Sequence, residues 1–551
     1  MWDVERAPSP RGAAGSGALW TGRRDVAPSS ALAFLVALLV VGAWRAFPLW
    51  DDAWLWLLLD ERGPGAVAAS FADRPVNGAL WGLLARAPGG LWPAAFLAQA
   101  LLWLLFGLFA ARLWVGLFPG SRRLAWLVAC LTVAPIWTKV QLVTVNVGLA
   151  SLPPVVLGYA ALLSLVAFVR HGGRRGAWRA VAGAGLLAAG VLYQEYAVAV
   201  AAVALVLIAP LLWPSRSAGV RCRAAWALAA VATVTAGAYL LFVRLADFGV
   251  RQDTDPAVAL RTGRAVLVLP LEIAGALWRG AAGSPVSTAA ELADLSTLPL
   301  LGLGLGALLA ILLLLGARDR ADPGAAVPSP RALGEVSLLL AATLAGLAPI
   351  VAMGRVPWDP GDGMTTRFAL PVLPILAALV VRSAECLLPR RGWPALVVVG
   401  AVLAGGSSVL EVGRSVGERR LLGRLGGALE TRVARNAGLT IAVVELPERS
   451  LGPRRQWELA VRLAADWPAS VRRRFWAYRL GGGPPLYYKE EATRVFGPRT
   501  SCRPPRRWKT GVRLVRREGP VSELLRVAPG PDGAAEIGPY CRPPRSPRVG
   551  G

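Results

Sequence analysis

Runs of about 17 to 25 predominantly apolar residues recur from near position 30 to about position 410 and then stop, and this limits the fold more sharply than any other feature. Backbone in hydrocarbon must satisfy its own hydrogen bonds, so a stretch of that length and hydropathy forms a membrane-crossing helix. Composition agrees: of 551 residues, 55% are hydrophobic and 17% charged, too few charges to wet a soluble surface of that size. Spans are expected at 30–47 and centred near 104, 130, 158, 186, 204, 235, 307, 343, 378 and 402, about eleven in all. The chain before them, 1–28, is rich in Arg, Pro, Gly and Ser and reads as a disordered tail. No small-residue cleavage site follows a short apolar core, so the first span is expected to be retained.

The loops alternate in charge. Arg122 and Arg123; Arg170, Arg174, Arg175 and Arg179; Arg216, Arg221 and Arg223; Arg318, Arg320 and Arg331; and Arg390 and Arg391 form compact clusters at every second connection. The positive-inside rule puts these and the N-terminus in the cytoplasm. The other connections, near 48–91, 138–142, 193–196, 247–297 and 354–367, hold nearly all the acidic residues between spans and are expected outside. Within 179–213, "YQEY" (193–196) interrupts the apolar sequence, so two short helices meeting near Glu195 are expected there. An odd number of spans then leaves everything after about 411 outside the cell, in the plasma membrane of what its Arg, Ala and Gly content suggests is a GC-rich bacterium.

The expected fold class is therefore an all-α polytopic membrane protein, transmembrane over 29–410, with a small C-terminal extracytoplasmic α/β domain over 411–551. In that tail "LTIAVVELP" (439–447) reads as a buried strand, 454–479 as an amphipathic helix, and "GVRLVRREG" with "SELLRVAP" as a hairpin. Its end is Pro/Arg-rich and expected to be partly disordered. Cys502 and Cys541 are the only cysteines in the tail. An oxidising exterior permits a disulfide between them, closing a loop of about 40 residues.

Several chemistries are excluded. The net charge of +26 comes from Arg in a chain poor in acids, not from a nucleic-acid-binding motif, so no nucleic acid partner is expected. One His, His171, and five Cys with no CxxC spacing leave no zinc site and no Ser/His or Cys/His pair. Any catalytic base must be a carboxylate. Asp359 and Asp362 lack the spacing of a cation loop and lie among Pro360, Gly361 and Gly363, so a turn is expected there.

The first external loop carries the strongest chemical signal. Asp51 and Asp52 stand just beyond the first span, and Trp50, Trp54, Trp56 and Leu57 to Leu59 form a stretch expected to lie in the interface plane. Two acids among aromatics with no nearby Lys are placed where desolvation favours general-base duty. Helix-end solvation beside an aromatic belt is the plainer alternative. Arg74, Lys139, Arg355 and Arg367 fall at or near the same face and are candidates to hold a phosphate, with snorkelling from helix ends as their plainer reading. Lys139 is one of only three Lys in the chain. Glu195 lies at a helix break in apolar sequence, where its alternative role is a buried acid bonded to Gln194 or Tyr193.

An acidic pair after the first span, "RPV" (74–76) before an amphipathic helix, "AP" (134–135) at the outer end of the third span, "LYQEYA" (192–197) and "TTRFALPVLP" (365–374) together resemble the polytopic GT-C glycosyltransferases. Within that superfamily the pattern is most similar to the protein O-mannosyltransferase-like, polyprenyl-phosphate-sugar-dependent enzymes. It covers roughly 30–400 as an order of spans and loop motifs. The resemblance implies transfer of a sugar from a polyprenyl-phosphate carrier to an envelope glycan or protein acceptor at the external face. It also implies that Asp51 or Asp52 is the base, and it leaves room for a divalent metal, Mg or Mn. Two other readings compete: a transporter or flippase of envelope precursors, and a non-catalytic envelope polysaccharide assembly protein on the same scaffold. A transporter predicts charged or broken helices at the midplane and two repeated halves; the spans hold few charges away from their ends and the halves show no convincing repeat, which favours the enzyme.

Overall fold

The computed structural model describes residues 26–47, 55, 59, 63–69, 71, 74–138, 145–245, 264–293, 296–317, 330–352, 357–358, 363–388, 392–435, 441–445, 511–515, 525–529 and 535–539. The chain divides into two compact units, Met1–Ala43 with Pro64–Gly413, and Trp44–Gly63 with Arg414–Gly551.

The first unit is helical. Its elements are α1 (Val26–Ala46), α2 (Pro75–Leu84), α3 (Leu91–Leu117), α4 (Ala125–Val133), α5 (Val145–His171), α6 (Gly173–Tyr193), α7 (Tyr196–Ile208) and α8 (Ala218–Leu245). After these come α9 (Arg264–Trp278), α10 (Ser284–Leu292), α11 (Thr297–Ala317), α12 (Pro330–Ala352), α13 (Leu373–Leu387) and α14 (Trp393–Arg435), which runs on past this unit. Among the described residues nine helices are long and apolar enough to cross a membrane, making this a multi-pass membrane protein.

Two of the eleven expected spans are not continuous long helices. The stretch near 130 is a 3-10 segment, Pro119–Leu124, followed by the nine-residue α4. That near 204 is the thirteen-residue α7 followed by a 3-10 turn, Ala209–Leu212. The cause is local: Pro119 and Pro210 each sit at the start of a 3-10 segment, where the missing N–H costs least. Each pair of segments still rises about 25 Å, because 3-10 turns gain about 2.0 Å per residue. The helix break near Glu195 is present as expected, made by Gln194 in an extended conformation (φ −169°, ψ 152°).

Burial orders the helices from core to lipid. The apolar window of α5 is 67% buried and that around α13 61%, whereas that of α8 is 22% buried and faces outward. All nine residues of α4 are buried. Helices in lipid gain little from apolar burial and associate through close backbone contact, so small residues sit at the crossings. A Cβ on Gly183 of α6 would stand 3.2 Å from the Ala161 carbonyl of α5, and one on Gly190 3.1 Å from that of Pro154. On α11 and α14 the approach is closer still: a Cβ on Gly306 would lie 2.5 Å from Val402 Cα, and one on Gly405 2.7 Å from Gly306 N.

In the second unit four short strands form one sheet: β1 (Ile441–Glu445), β2 (Gly511–Val515), β3 (Leu525–Pro529) and β4 (Ala535–Pro539), in the order β2-β1-β3-β4. β1 is antiparallel to β2 (Ile441 opposite Val515) and parallel to β3, and β3 is antiparallel to β4. The expected strand within 439–447 is present, but the expected hairpin is not. β1 lies between β2 and β3, so the two strands do not pair with each other. The expected helix 454–479 lies outside the described residues.

Gly306→Val forces α11 and α14 apart. We expect overpacking to cost about 1–3 kcal/mol and to lower the melting temperature of the purified protein in detergent, whereas Gly304→Val, which meets nothing within 4 Å, leaves it unchanged.

Candidate functional site

The connections expected outside contact one another. The chain before α2 meets the α6–α7 break: Arg74 Nη2 lies 3.8 Å from Glu195 Oε1, each side chain about one tenth exposed. The start of α7 meets the late loop, where Tyr196 sets its ring edge on Phe368 with centroids 6.1 Å apart. That loop meets the chain after α4, where Trp358 Nε1 donates to the Trp137 carbonyl at 2.6 Å. It also meets the α9–α10 junction, where the Trp358 ring covers Gly280 and leaves no room for a Cβ.

Tyr193 is the pivot. Its hydroxyl lies 2.6 Å from the Leu149 carbonyl of α5 and 2.8 Å from the Asn77 side-chain amide of α2. A phenol has one hydrogen, and the Leu149 carbonyl can only accept. The hydroxyl therefore donates to Leu149 and accepts from Asn77, which turns the amide nitrogen toward Tyr193 and the amide oxygen toward the site. Asn77 is fully buried and Gln194 is 2% exposed. One amide atom of Asn77 and Oε1 of Gln194 lack a hydrogen-bond partner, as does the indole nitrogen of the fully buried Trp81. Such groups are rare in folded interiors and cost about 1–3 kcal/mol each.

Arg367 sits on the other side of Tyr196 and Phe368. Its guanidinium lies 5.0 Å from the Phe368 ring centre, and its buried Nε has no hydrogen-bond partner. The segment that holds it, Gly363–Val372, is a 3-10 run, fastened to α5 by the Tyr159 hydroxyl donating to the Pro371 carbonyl at 2.7 Å. Trp358 has φ +58°, the only non-glycine positive φ among the described residues. A bulky side chain held there stores about 1–3 kcal/mol and persists only where surrounding contacts enforce it.

The structure thus brings together three of the residues expected from sequence: Arg74 and Glu195 directly, and Arg367 through the Tyr196–Phe368 contact. Glu195 pairs with Arg74, while Tyr193, with Gln194 the alternative partner of a buried acid there, bonds Leu149 and Asn77 instead. Asp51, Asp52, Lys139, Arg355, Cys502 and Cys541 lie outside the described residues. Among the described residues no three His, Cys, Asp or Glu side chains gather as a metal site. Asn77, Trp81, Trp137 and Trp358 were not singled out in the sequence, although "RPVN" and "VPWDP" flank motifs that were.

A second polar cluster joins the connections expected inside. Arg382 of α13 pairs with Glu335 of α12 at 2.5 Å and with Glu385 one turn on. The Ser121 hydroxyl donates to Glu385 at 2.8 Å, Arg123 lies 3.9 Å from the same carboxylate, and the Arg123 guanidinium rests on Trp393 of α14. The 119–138 segment begins in this cluster and ends beside Trp358, so α4 with its 3-10 extension runs between the two clusters. Comparison with protein-family models, with curated proteins and with solved structures finds no match for this chain.

Tyr193→Phe strips the Leu149 carbonyl and the Asn77 amide of their partner. We expect a loss of about 1–3 kcal/mol, read as a lower melting temperature; an unchanged value would show that the hydroxyl bonds neither group.

Proposed function

We propose that the chain is an integral membrane glycosyltransferase that moves a sugar from a polyprenyl-phosphate carrier to an envelope glycan or protein acceptor at the external face. One observation supports the reading: Arg74 pairs with Glu195, the adjacent Tyr196 packs on Phe368 beside Arg367, and Asn77, Trp81 and Gln194 of the same segments each keep a buried polar atom without a hydrogen-bond partner. A site that keeps amide and indole groups unsatisfied in the absence of ligand is suited to a polyhydroxylated headgroup. The two arginines supply fixed charge for its phosphate.

In the proposed reaction Asp51 or Asp52 takes the proton of the acceptor hydroxyl. The freed oxygen forms a bond to the anomeric carbon, and the bond from that carbon to the phosphate oxygen breaks. The electron pair leaves with the polyprenyl phosphate, whose growing charge Arg367 and Arg74 stabilise, with Lys139 and Arg355 as further candidates. Glu195 holds Arg74 at a long ion-pair distance, from which the guanidinium can turn to the phosphate without losing charge compensation. A divalent metal, if the enzyme uses one, is assigned to the Asp51 and Asp52 carboxylates.

The proposed orientation places the N-terminus in the cytoplasm and the chain after about 411 outside, as an extracytoplasmic α/β domain with a Cys502–Cys541 bridge. A reporter fused after residue 415 is expected to be active only outside the cytoplasm; activity inside would put the chemistry on the wrong face. Replacing the true base among Asp51 and Asp52 by Asn is expected to lower transfer from a polyprenyl-phosphate sugar by about two to four orders of magnitude with insertion intact. Unchanged transfer in both single variants and the double variant would overturn the assignment.

Arg74 and Glu195 separate catalysis from scaffolding. Glu195→Gln leaves a largely buried guanidinium uncompensated and is expected to reduce both stability and transfer, while Arg74→Met with Glu195→Met recovers stability and not transfer. Recovery of both would make the pair structural only.

A further inference from the structure

The end of the bundle farthest from Glu195 carries a charge imbalance that the proposed chemistry does not use. From Arg74 to Ala246 the chain holds a single acidic residue, Glu195, and α6 separates it from the opposite end by about 30 Å. At that opposite end the turn between α5 and α6 lies against the start of α8. Arg223 Nε donates to the Val169 carbonyl at 2.8 Å, and Arg170 Nη2 donates to the Gly116 carbonyl at 2.9 Å. Gly172, at φ +56°, permits the contact: a Cβ there would stand 2.9 Å from Arg223 Nη1. Two arginines are therefore spent on holding the turns together.

The others are free of any such task. Arg174, Arg175, Arg179 and Arg221 are exposed and Arg216 is half-buried. No acidic residue occupies the first turn of either α6 or α8, so arginine charge is added to the positive end of two helix dipoles, where it is unfavourable. Flanking these residues are Trp178, Trp213 and Trp226, each 67–69% exposed. An indole so exposed in a membrane protein sits at headgroup depth, its ring in the acyl boundary and its N–H toward water.

We propose that this surface binds the headgroup of an anionic phospholipid, with the phosphate held by Arg174, Arg175 and Arg221 and the glycerol and upper acyl region against the tryptophans. Complementarity of charge decides the class. Clustered arginines with no acid in the same loops attract anionic lipid and gain nothing from a zwitterionic one. The tryptophan collar selects a membrane lipid over a soluble anion, because only a lipid fills both the charged and the apolar part of the surface. The inference depends on the helices spanning a bilayer and not on the sugar-transfer reading.

The test uses the full chain, delipidated in a non-ionic detergent and reconstituted into nanodiscs of phosphatidylcholine and phosphatidylglycerol at 70:30, with retained lipid counted after re-extraction. We expect phosphatidylglycerol to be enriched several-fold over its bulk share. The enrichment should fall as salt is raised and vanish in Arg174→Gln/Arg175→Gln/Arg221→Gln. Should that variant fail to fold, Trp213→Ala and the salt series on the unaltered protein decide the matter. Equal retention of the two lipids, enrichment indifferent to salt, or enrichment unchanged in the triple variant overturns the proposal.

Discussion

The hydrocarbon of the bilayer cannot solvate charge, and that constraint sorts this chain into two polar ends joined by apolar helices. Arg74 and Glu195 pair at one end; Arg382, Glu335, Glu385 and Arg123 pair at the other. This separation makes the shorter elements intelligible. Neither α4 nor α7 is long enough alone to cross, yet each begins beside one polar cluster and, extended by a 3-10 turn, finishes toward the other. The α-helical parts of both are largely buried among longer neighbours, whereas the 3-10 turns expose Pro119, Arg122, Ala209 and Leu212, which places the irregular backbone toward the ends of the bundle and away from its centre.

The two ends are satisfied to different degrees. Around Glu385 a serine hydroxyl and two guanidinium groups converge, and Arg382 and Arg123 also rest on the rings of Phe118 and Trp393. That is the organisation of a clamp, in which each charge has both an electrostatic and a packing partner. At the Glu195 end, Asn77, Gln194, Trp81 and Arg367 each keep a buried polar atom unsatisfied, and Trp358 holds a strained backbone. Buried atoms of this kind occur elsewhere too, Arg123 Nε of the clamp among them, so it is their combination with the Trp358 backbone strain that sets the Glu195 end apart.

Much of the framework was legible in the sequence, because hydropathy runs and basic loops report directly on the bilayer. The break at "YQEY" was legible too, since four polar or amphipathic residues in an apolar run have few other uses. Pairings between distant loops were not. Ser121 and Glu385 stand 264 residues apart, and nothing local in the sequence marks Glu335 or Glu385 as a partner of Arg382. Asn77 escaped notice because a lone amide in an amphipathic helix has no signature; its meaning comes from the Tyr193 hydroxyl, 116 residues later. The length of α4 was misread for a simpler reason: hydropathy counts apolar residues and is blind to the 3-10 geometry that begins at Pro119.

The prolines of the late loop explain how Arg367 can be both anchored and available. Pro371 and Pro374 deny backbone N–H groups to the segment entering α13, so it tightens into a 3-10 run instead of continuing the α-helix outward. The Pro371 carbonyl accepts from the Tyr159 hydroxyl of the deeply buried α5, which fixes the run without using any group of Arg367. Phe368 then supports the guanidinium from one face, while its own ring is braced by Tyr196. An arginine held by stacking keeps its planar set of donors free, whereas one held by hydrogen bonds has already spent them. The position of this cation is therefore set by aromatic contact and a remote tyrosine, and its buried Nε is left without a hydrogen-bond partner.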